Sequence, residues 1–143
     1  MTLRFLLFAI SALLALADDY SSSIGGAFTI TVHQTVNGVI DYAGDLDYFG
    51  ISLLASRTYQ ITLQSTFDNF LKFFSPTLSL LSSSDDAIGR NAQITWTPST
   101  PGVYYIEARA LGTSTTGSYT LGVVDRTACS ATCTSFLRMF GFY

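Results

Sequence analysis

Positive charge is scarce in this sequence of 143 residues. Lysine and arginine together number seven against ten acidic residues, and Lys72 is the only lysine. A protein that binds nucleic acid needs a basic surface to neutralise phosphate groups, and an anionic membrane surface makes the same demand. With a net charge of −3 and only 12% charged residues, the composition argues against nucleic acid and against anionic membranes as partners.

Histidine is scarcer still, since His33 is the only one. Nucleophilic catalysis needs a base beside the nucleophile, and histidine is the usual base. The alternating pattern around His33 predicts a surface position on an early strand. Asp45 and Asp47 have a spacing that a carboxylate-pair hydrolase could use, but no phosphate-binding loop or dinucleotide motif accompanies them. The sequence therefore predicts a protein that is not an enzyme, with a small hydrolase as the enzymatic alternative.

Cysteine occurs only twice, as Cys129 and Cys133 near the C-terminus. A zinc site needs more ligands than two thiols, and the single histidine lies far away in the sequence. A bridge between the two cysteines would close a small loop and add little to global stability. A local disulfide and free or intermolecular thiols are both open for this pair. We assign them to a C-terminal tail, residues 126–143, that does not continue the preceding strand pattern.

The N-terminus combines one early positive charge, Arg4, with an apolar run that ends at two acidic residues. Ala15 and Ala17 form the small-x-small pattern that a signal peptidase recognises, so residues 1–17 are predicted to be a cleaved signal peptide. The run is shorter than the roughly 20 residues that span a membrane, which disfavours the alternative of an uncleaved anchor. We therefore expect a secreted, extracellular protein with no membrane span after cleavage.

Between the signal and the tail, short apolar segments alternate with period two and are separated by turn signals. Residues 18–27 are polar and glycine-rich and are expected to form a flexible leader. Asn37-Gly38 is a strong turn dipeptide. The aromatic residues of segment 65–76 lack strand alternation, which predicts a loop or one helical turn. Residues 28–125 are thus predicted to form an all-β, antiparallel sandwich of seven to eight strands.

An acidic, glycine-containing corner precedes one of these strands. It holds the carboxylates of Asp41, Asp45 and Asp47, and a later polar turn adds Asp85 and Asp86. Calcium takes six to eight oxygen ligands from carboxylates, carbonyls and amides, usually on turns. These five acids are therefore the candidate calcium ligands. The alternative is structural, because short acidic side chains often accept hydrogen bonds from the backbone N–H groups of their own turns.

Aromatic residues are abundant, with eight tyrosines and eleven phenylalanines. Alternation sends Tyr104 and Trp96 toward the core, together with their aliphatic neighbours. Tyr105 and Tyr48 take outward positions, and Tyr42 lies in the acidic corner. Because exposed tyrosine is common in protein contacts, Tyr105, Tyr48 and Tyr42 are the candidate binding surface.

Five segments form an ordered series of motifs: Gly38–Phe49, Thr58–Leu63, Ser75–Leu80, Pro101–Glu107 and Gly117–Leu121. In this order they resemble the bacterial pre-peptidase C-terminal domain, over about residues 36–124. The resemblance implies a jelly-roll-like β-sandwich, similar to the collagen-binding domains of clostridial collagenases. Such domains accompany secreted peptidases without being the peptidase, and some relatives bind calcium or insoluble protein. By this resemblance, Asp45 and Asp47 match the family's paired acids, and Tyr104 and Tyr105 match its double tyrosine.

These features together predict a secreted, non-catalytic module that binds an extracellular polymer or protein, or that assists a secreted peptidase. A collagen-like protein or a polysaccharide is the expected type of ligand, and calcium is the expected cofactor. The alternative is a purely structural or folding-assistance segment of a secreted protease.

Overall fold

The computed structural model describes residues 18–127, which form two β-sheets packed as a sandwich. One 3₁₀ turn, Ile24–Gly26, precedes the strands. The strands are β1 (Phe28–Ile30), β2 (Thr35–Ile40), β3 (Asp47–Leu53), β4 (Tyr59–Ser65), β5 (Asn69–Phe74), β6 (Leu80–Ser84), β7 (Gln93–Trp96), β8 (Gly102–Ala110) and β9 (Gly117–Asp125). The predicted signal peptide, nearly all of the predicted tail and both cysteines lie outside the described residues.

The two sheets have the strand orders β1-β3-β8-β5-β6 and β2-β9-β4-β7. All pairs are antiparallel except β1 with β3. Successive strands mostly lie in different sheets, so the chain crosses repeatedly between the layers, as in jelly rolls. The prediction of an all-β, jelly-roll-like sandwich is confirmed, with nine strands in the described part of the chain. Within residues 18–127, no helix is long and apolar enough to cross a membrane.

The core lies between the sheets because the central strands direct apolar side chains inward at every second position. Fully buried members include Ile30, Phe49, Ile51, Ile61, Leu71, Phe73, Ile106 and Leu121. Tyr104 is also buried, and its ring stacks on that of Phe73 with centroids 5.5 Å apart. Trp96 is partly buried and meets the Phe73 ring at 6.0 Å. The prediction that Tyr104 and Trp96 face the core is confirmed.

The predicted turn at Asn37-Gly38 is wrong. Both residues lie in the middle of β2, where they pair with β9. The chain turns earlier, at residues 31–34, where His33 has a φ of 67° and donates its backbone N–H to the oxygen of Val123 at 2.7 Å. His33 is exposed, as predicted, but it belongs to this turn and not to a strand.

Strand β5 replaces the loop or helical turn predicted for segment 65–76. Leu71 and Phe73 point into the core and are fully buried, whereas Phe70, Lys72 and Phe74 lie on the outer face. Aromatic residues occupy both faces of β5, so the alternation of polarity that marks a half-buried strand is missing from its sequence.

In place of the flexible leader expected for residues 18–27, the structure has a segment bonded to the edge of β2. The Tyr20 hydroxyl donates to the backbone oxygen of Asn37 at 3.0 Å. The Asp19 carboxylate accepts the backbone N–H of Val39 at 2.9 Å. Because β2 is an edge strand, these side chains satisfy backbone groups that no neighbouring strand pairs.

Truncating Tyr20 to alanine is expected to lower the free energy of unfolding by about 2 kcal/mol. The change removes a ring whose centroid lies 4.7 Å from that of Phe49 and 5.2 Å from that of Phe28. Tyr20→Phe keeps the ring and loses only the bond to Asn37, so its free energy of unfolding should fall by only about 1 kcal/mol. Urea unfolding followed by Trp96 fluorescence measures both variants. If Tyr20→Ala is as stable as the wild type, the contacts of this segment add nothing to the stability of the fold.

Candidate functional site

Five carboxylates meet at one end of the sandwich, which we call the acidic corner: Asp18, Asp19, Asp41, Asp45 and Asp47. Ligand oxygens of Asp18, Asp41 and Asp45 all lie within 4.8 Å of one another, and so do those of Asp18, Asp19 and Asp47. The three corner acids singled out from the sequence are thus brought together around Asp18. Sequence reasoning missed Asp18 and Asp19, whose only signal was two adjacent charges in a segment assigned to the leader.

Asp45 ties down the loop between β2 and β3. Its side chain is buried, and one carboxylate oxygen accepts the backbone N–H of Asp41 at 2.8 Å. The other oxygen accepts the Ser22 hydroxyl at 3.3 Å, which links the loop to the N-terminal segment. The turn between Asp41 and Asp45 includes Gly44 at a φ of 84°, a value that favours glycine. Asp45 therefore has the structural role that was one of the two alternatives for these acids.

Asp47 is fully buried and connects the two sheets. One of its carboxylate oxygens accepts the hydroxyl of Tyr119, on β9 of the opposite sheet, at 2.5 Å, while its Oδ1 has no hydrogen-bond partner. Burial raises the pKa of Asp47 to about 8, against the opposing effect of the Tyr119 hydrogen bond. Burial and the same bond hold the pKa of Tyr119 far above its ordinary value, so its hydroxyl remains a donor.

The other two candidate calcium ligands, Asp85 and Asp86, lie in the turn after β6. The Asp85 carboxylate accepts the backbone N–H of Asp86 at 2.9 Å, a local turn bond. Among residues 18–127, neither belongs to a group of three acidic, histidine or cysteine side chains close enough to share an ion. The calcium hypothesis is therefore confined to the acidic corner.

Four partly exposed rings line the outer face of the five-stranded sheet, and we call them the aromatic surface: Tyr48, Phe70, Phe74 and Tyr105. Tyr105 on β8 lies between Gly50 on β3 and Phe74 on β5. Gly50 itself is buried, because the Tyr105 ring and the Val103 side chain lie against it. Partly exposed rings on a sheet face offer contact area at low entropic cost. Two of the three tyrosines proposed from the sequence thus lie on one face.

An ion-pair network lies beneath the aromatic surface. Glu107 is only 2% exposed, accepts the Tyr48 hydroxyl at 2.7 Å and pairs with the Lys72 ammonium at 3.1 Å. The Arg109 guanidinium lies 3.8 Å from the same carboxylate and 4.7 Å from the centroid of the Phe70 ring. Burial, together with the bond to Glu107, raises the pKa of Tyr48 to about 12. The two cations neutralise Glu107 and remain partly exposed themselves.

Tyr42, the third tyrosine of the predicted binding surface, belongs to the acidic corner. It lies in the loop between β2 and β3 and is 48% exposed. Its hydroxyl oxygen is 2.8 Å from that of Ser22. The structure therefore assigns Tyr42 to a different surface from Tyr48 and Tyr105.

Comparison with protein-family models and with curated protein sequences finds no match. Solved structures of similar fold include the two described here. The pre-peptidase C-terminal domain of collagenase from Bacillus anthracis has 18% identity and a TM-score of 0.58, covering 68% of this chain and 93% of its own. PliG from Aeromonas hydrophila, a periplasmic inhibitor of g-type lysozyme, has 14% identity and a TM-score of 0.57. The match covers 70% of this chain and 97% of PliG. The chain therefore has the β-sandwich fold of the pre-peptidase C-terminal domain, as its motifs predicted.

Proposed function

We propose that this protein is a secreted, non-catalytic module that binds an extracellular protein or polymer, or that assists a secreted peptidase. The observation that carries the proposal is the aromatic surface, whose four rings lie on one accessible sheet face. One similar structure is a domain of a collagenase and the other is a lysozyme inhibitor. Both similar structures are consistent with a protein-binding module.

The chemistry of the aromatic surface favours a ligand with ring-stacking or apolar groups and hydrogen-bond acceptors. Tyr105 supplies a partly exposed ring that lies over Gly50, and Lys72 and Arg109 supply donors at the border of the surface. A collagen-like chain or a polysaccharide offers such groups, because both combine carbonyl or hydroxyl oxygens with apolar ring faces. Glu107 is neutralised by its partners, so it does not repel an approaching acceptor.

Binding of the mature protein to insoluble collagen, chitin, cellulose and cell-wall material, with calcium and with a chelator, tests this function. We expect Tyr105→Ala to reduce the affinity for the bound material about tenfold or more, since a central aromatic anchor contributes about 2 kcal/mol. Tyr42→Ala is the matched control, because it removes an exposed tyrosine from a different surface. Retention on none of the four materials, or equal losses in the two variants, would contradict the proposal.

The proposal includes calcium at the acidic corner. Asp47 is fully buried, yet its Oδ1 has no hydrogen-bond partner, and a ligand oxygen of this carboxylate lies within 4.8 Å of those of Asp18 and Asp19. A buried acceptor without a donor is costly, and a hard cation is the partner that several carboxylate oxygens share best. The residues therefore fit calcium, with Asp18, Asp19 and Asp47 as its ligands.

Calcium at this corner would stabilise the folded protein by mass action, because the unfolded chain does not hold these carboxylates together. It would also fasten the N-terminal segment, which supplies Asp18 and Asp19, to the start of β3, which supplies Asp47. Its expected consequence is therefore a higher melting temperature in calcium than in chelator.

A further inference from the structure

Strand β6 forms an edge of the five-stranded sheet, and its only irregularity is the register shift against β5 at its first residues. It pairs with β5 only, and its five residues, Leu80–Ser84, include no charged residue and no proline. Strands β1 and β7 are only three and four residues long. The edge of β2 is bonded by Asp19 and Tyr20. Proteins usually protect long edges with charges, proline or covering segments, because an open edge pairs with other strands.

A strained turn places an exposed leucine directly before this edge. Leu78 has a φ of 63°, a left-handed conformation that is unfavourable for a branched residue, and its side chain is 51% exposed. Ser75 holds the turn, because its Oγ accepts the backbone N–H groups of Thr77 at 3.2 Å and Ser79 at 3.0 Å. The backbone N–H of Leu78 donates to the backbone carbonyl oxygen of Ser75 at 2.9 Å. Backbone strain of this kind is concentrated at functional positions.

The edge also continues an apolar strip of the sheet. Leu80, which is 56% exposed, pairs with Phe74 of the aromatic surface, and Phe74 pairs in turn with Tyr105. The β5–β6 pairing is irregular only at this end, between Phe73 and Phe74. Farther along, β6 itself is a regular, uncharged run of serines, with Lys72 of β5 opposite Ser83 and Asp85 directly after the strand. The apolar strip therefore ends at an open strand edge.

We propose that the β6 edge accepts an extended, uncharged segment of a protein partner as an additional strand, with an apolar side chain of that segment against Leu78 and Leu80. The unpaired N–H and C=O groups of an edge strand are matched by another extended main chain. The absence of charge along the edge favours an uncharged segment over an acidic or basic one. This inference rests on the proposed protein-binding function and specifies the partner as an extended peptide.

Selection of a displayed library of short linear peptides against the mature protein provides the probe. The tightest selected peptide is then synthesised, and hydrogen exchange of the complex is expected to show slowed exchange in residues 80–84. Leu80→Lys should weaken its binding at least tenfold, because a charge at the edge opposes strand addition. Leu111→Lys is the matched control, since Leu111 is 40% exposed in the loop after β8 and should bind as the wild type does.

Leu78→Gly separates function from stability. Glycine adopts a positive φ without strain, so the melting temperature of this variant should rise by a few degrees. Loss of the exposed side chain should nevertheless weaken peptide binding about fivefold, since a buried apolar contact of this size contributes roughly 1 kcal/mol. If Leu78→Gly is more stable but binds the peptide more weakly, the strained leucine is retained for binding. Unchanged binding would remove Leu78 from the site.

Three results would overturn the proposal. The first is a selection that returns no peptide, and the second is a peptide that slows exchange only elsewhere, for example at Tyr48 and Tyr105. The third is concentration-dependent self-association that Leu80→Lys abolishes, which would assign the edge to a second copy of this chain. If peptides fail but extracellular material is still retained through Tyr105, the inference fails and the proposed function stands.

Discussion

Replacing Gly38 with alanine is expected to lower the free energy of unfolding by about 3 kcal/mol or more. The added Cβ would lie 2.3 Å from the hydroxyl oxygen of Tyr119 and from the ring carbon that carries it. The Tyr119 ring cannot move aside at low cost, because it is only 3% exposed and its hydroxyl bonds the Asp47 carboxylate across the two sheets. The methyl group therefore has to displace the ring, break that bond, or separate the strands.

Gly50→Ala is the matched control for this experiment. Gly50 also lies in the middle of a strand, β3, but the atom nearest to its added Cβ is a Val103 side-chain carbon at 3.6 Å, an ordinary contact. Its effect on stability should stay within about 0.5 kcal/mol. Urea unfolding of the two variants compares the same chemical change in two environments. Equal stabilities would show that the Tyr119 ring is not held in place by the bond to Asp47.

Asp47→Asn is expected to stabilise the calcium-free protein by about 2 kcal/mol at pH 8. Burial raises the pKa of Asp47 from its ordinary 3.8 to about 8 in the folded protein. A raised carboxyl pKa favours the folded state while the group is protonated there, and this contribution is lost as the pH rises from about 4 to about 8. The wild type in chelator should therefore lose stability across this range. Asparagine removes that loss and keeps a carbonyl oxygen for the Tyr119 hydroxyl.

Calcium should reverse the order of stability of the wild type and Asp47→Asn. The wild type is expected to melt at a higher temperature in calcium than in chelator, whereas Asp47→Asn should respond little, because it has lost a ligand charge. Asp85→Asn is the control and should keep the full response. Melting at pH 8 with calcium and with chelator measures all three proteins. An unchanged midpoint in the wild type, and no change in Asp45→Ala with Asp47→Ala, would remove calcium from the proposal.

The strand pattern was largely predictable because β3, β4, β8 and β9 alternate polarity over most of their length. That alternation depends only on neighbours two positions apart. The pattern failed where this local signal was misleading. Phe70, Phe73 and Phe74 concealed β5, since its two faces carry similar residues. Asn37-Gly38 has the composition of a turn, but its glycine serves the close approach of Tyr119, a residue far away along the chain.

The acidic corner was predictable only in part. Asp41, Asp45 and Asp47 are close in the sequence and belong to one loop and the strand after it, so their proximity followed from their spacing. Asp18 and Asp19 reach the same place only because Tyr20 and Asp19 bond the edge of β2. Such a contact depends on which backbone groups an edge strand leaves unpaired, which no local pattern records.

The order of residues alone was sufficient to predict the sandwich, to argue against nucleic acid and anionic membranes as partners, and to single out the candidate acids and tyrosines. These properties depend on composition and on the period-two repeat, both of which are local. The burial of Asp47, the neutralised Glu107 beneath Tyr48, and the open edge at β6 were decided only by the tertiary structure. Each depends on the register of strands that are distant in the chain, as in the Tyr119–Asp47 bond across 72 positions. Register sets which polar groups are enclosed and which backbone groups stay free.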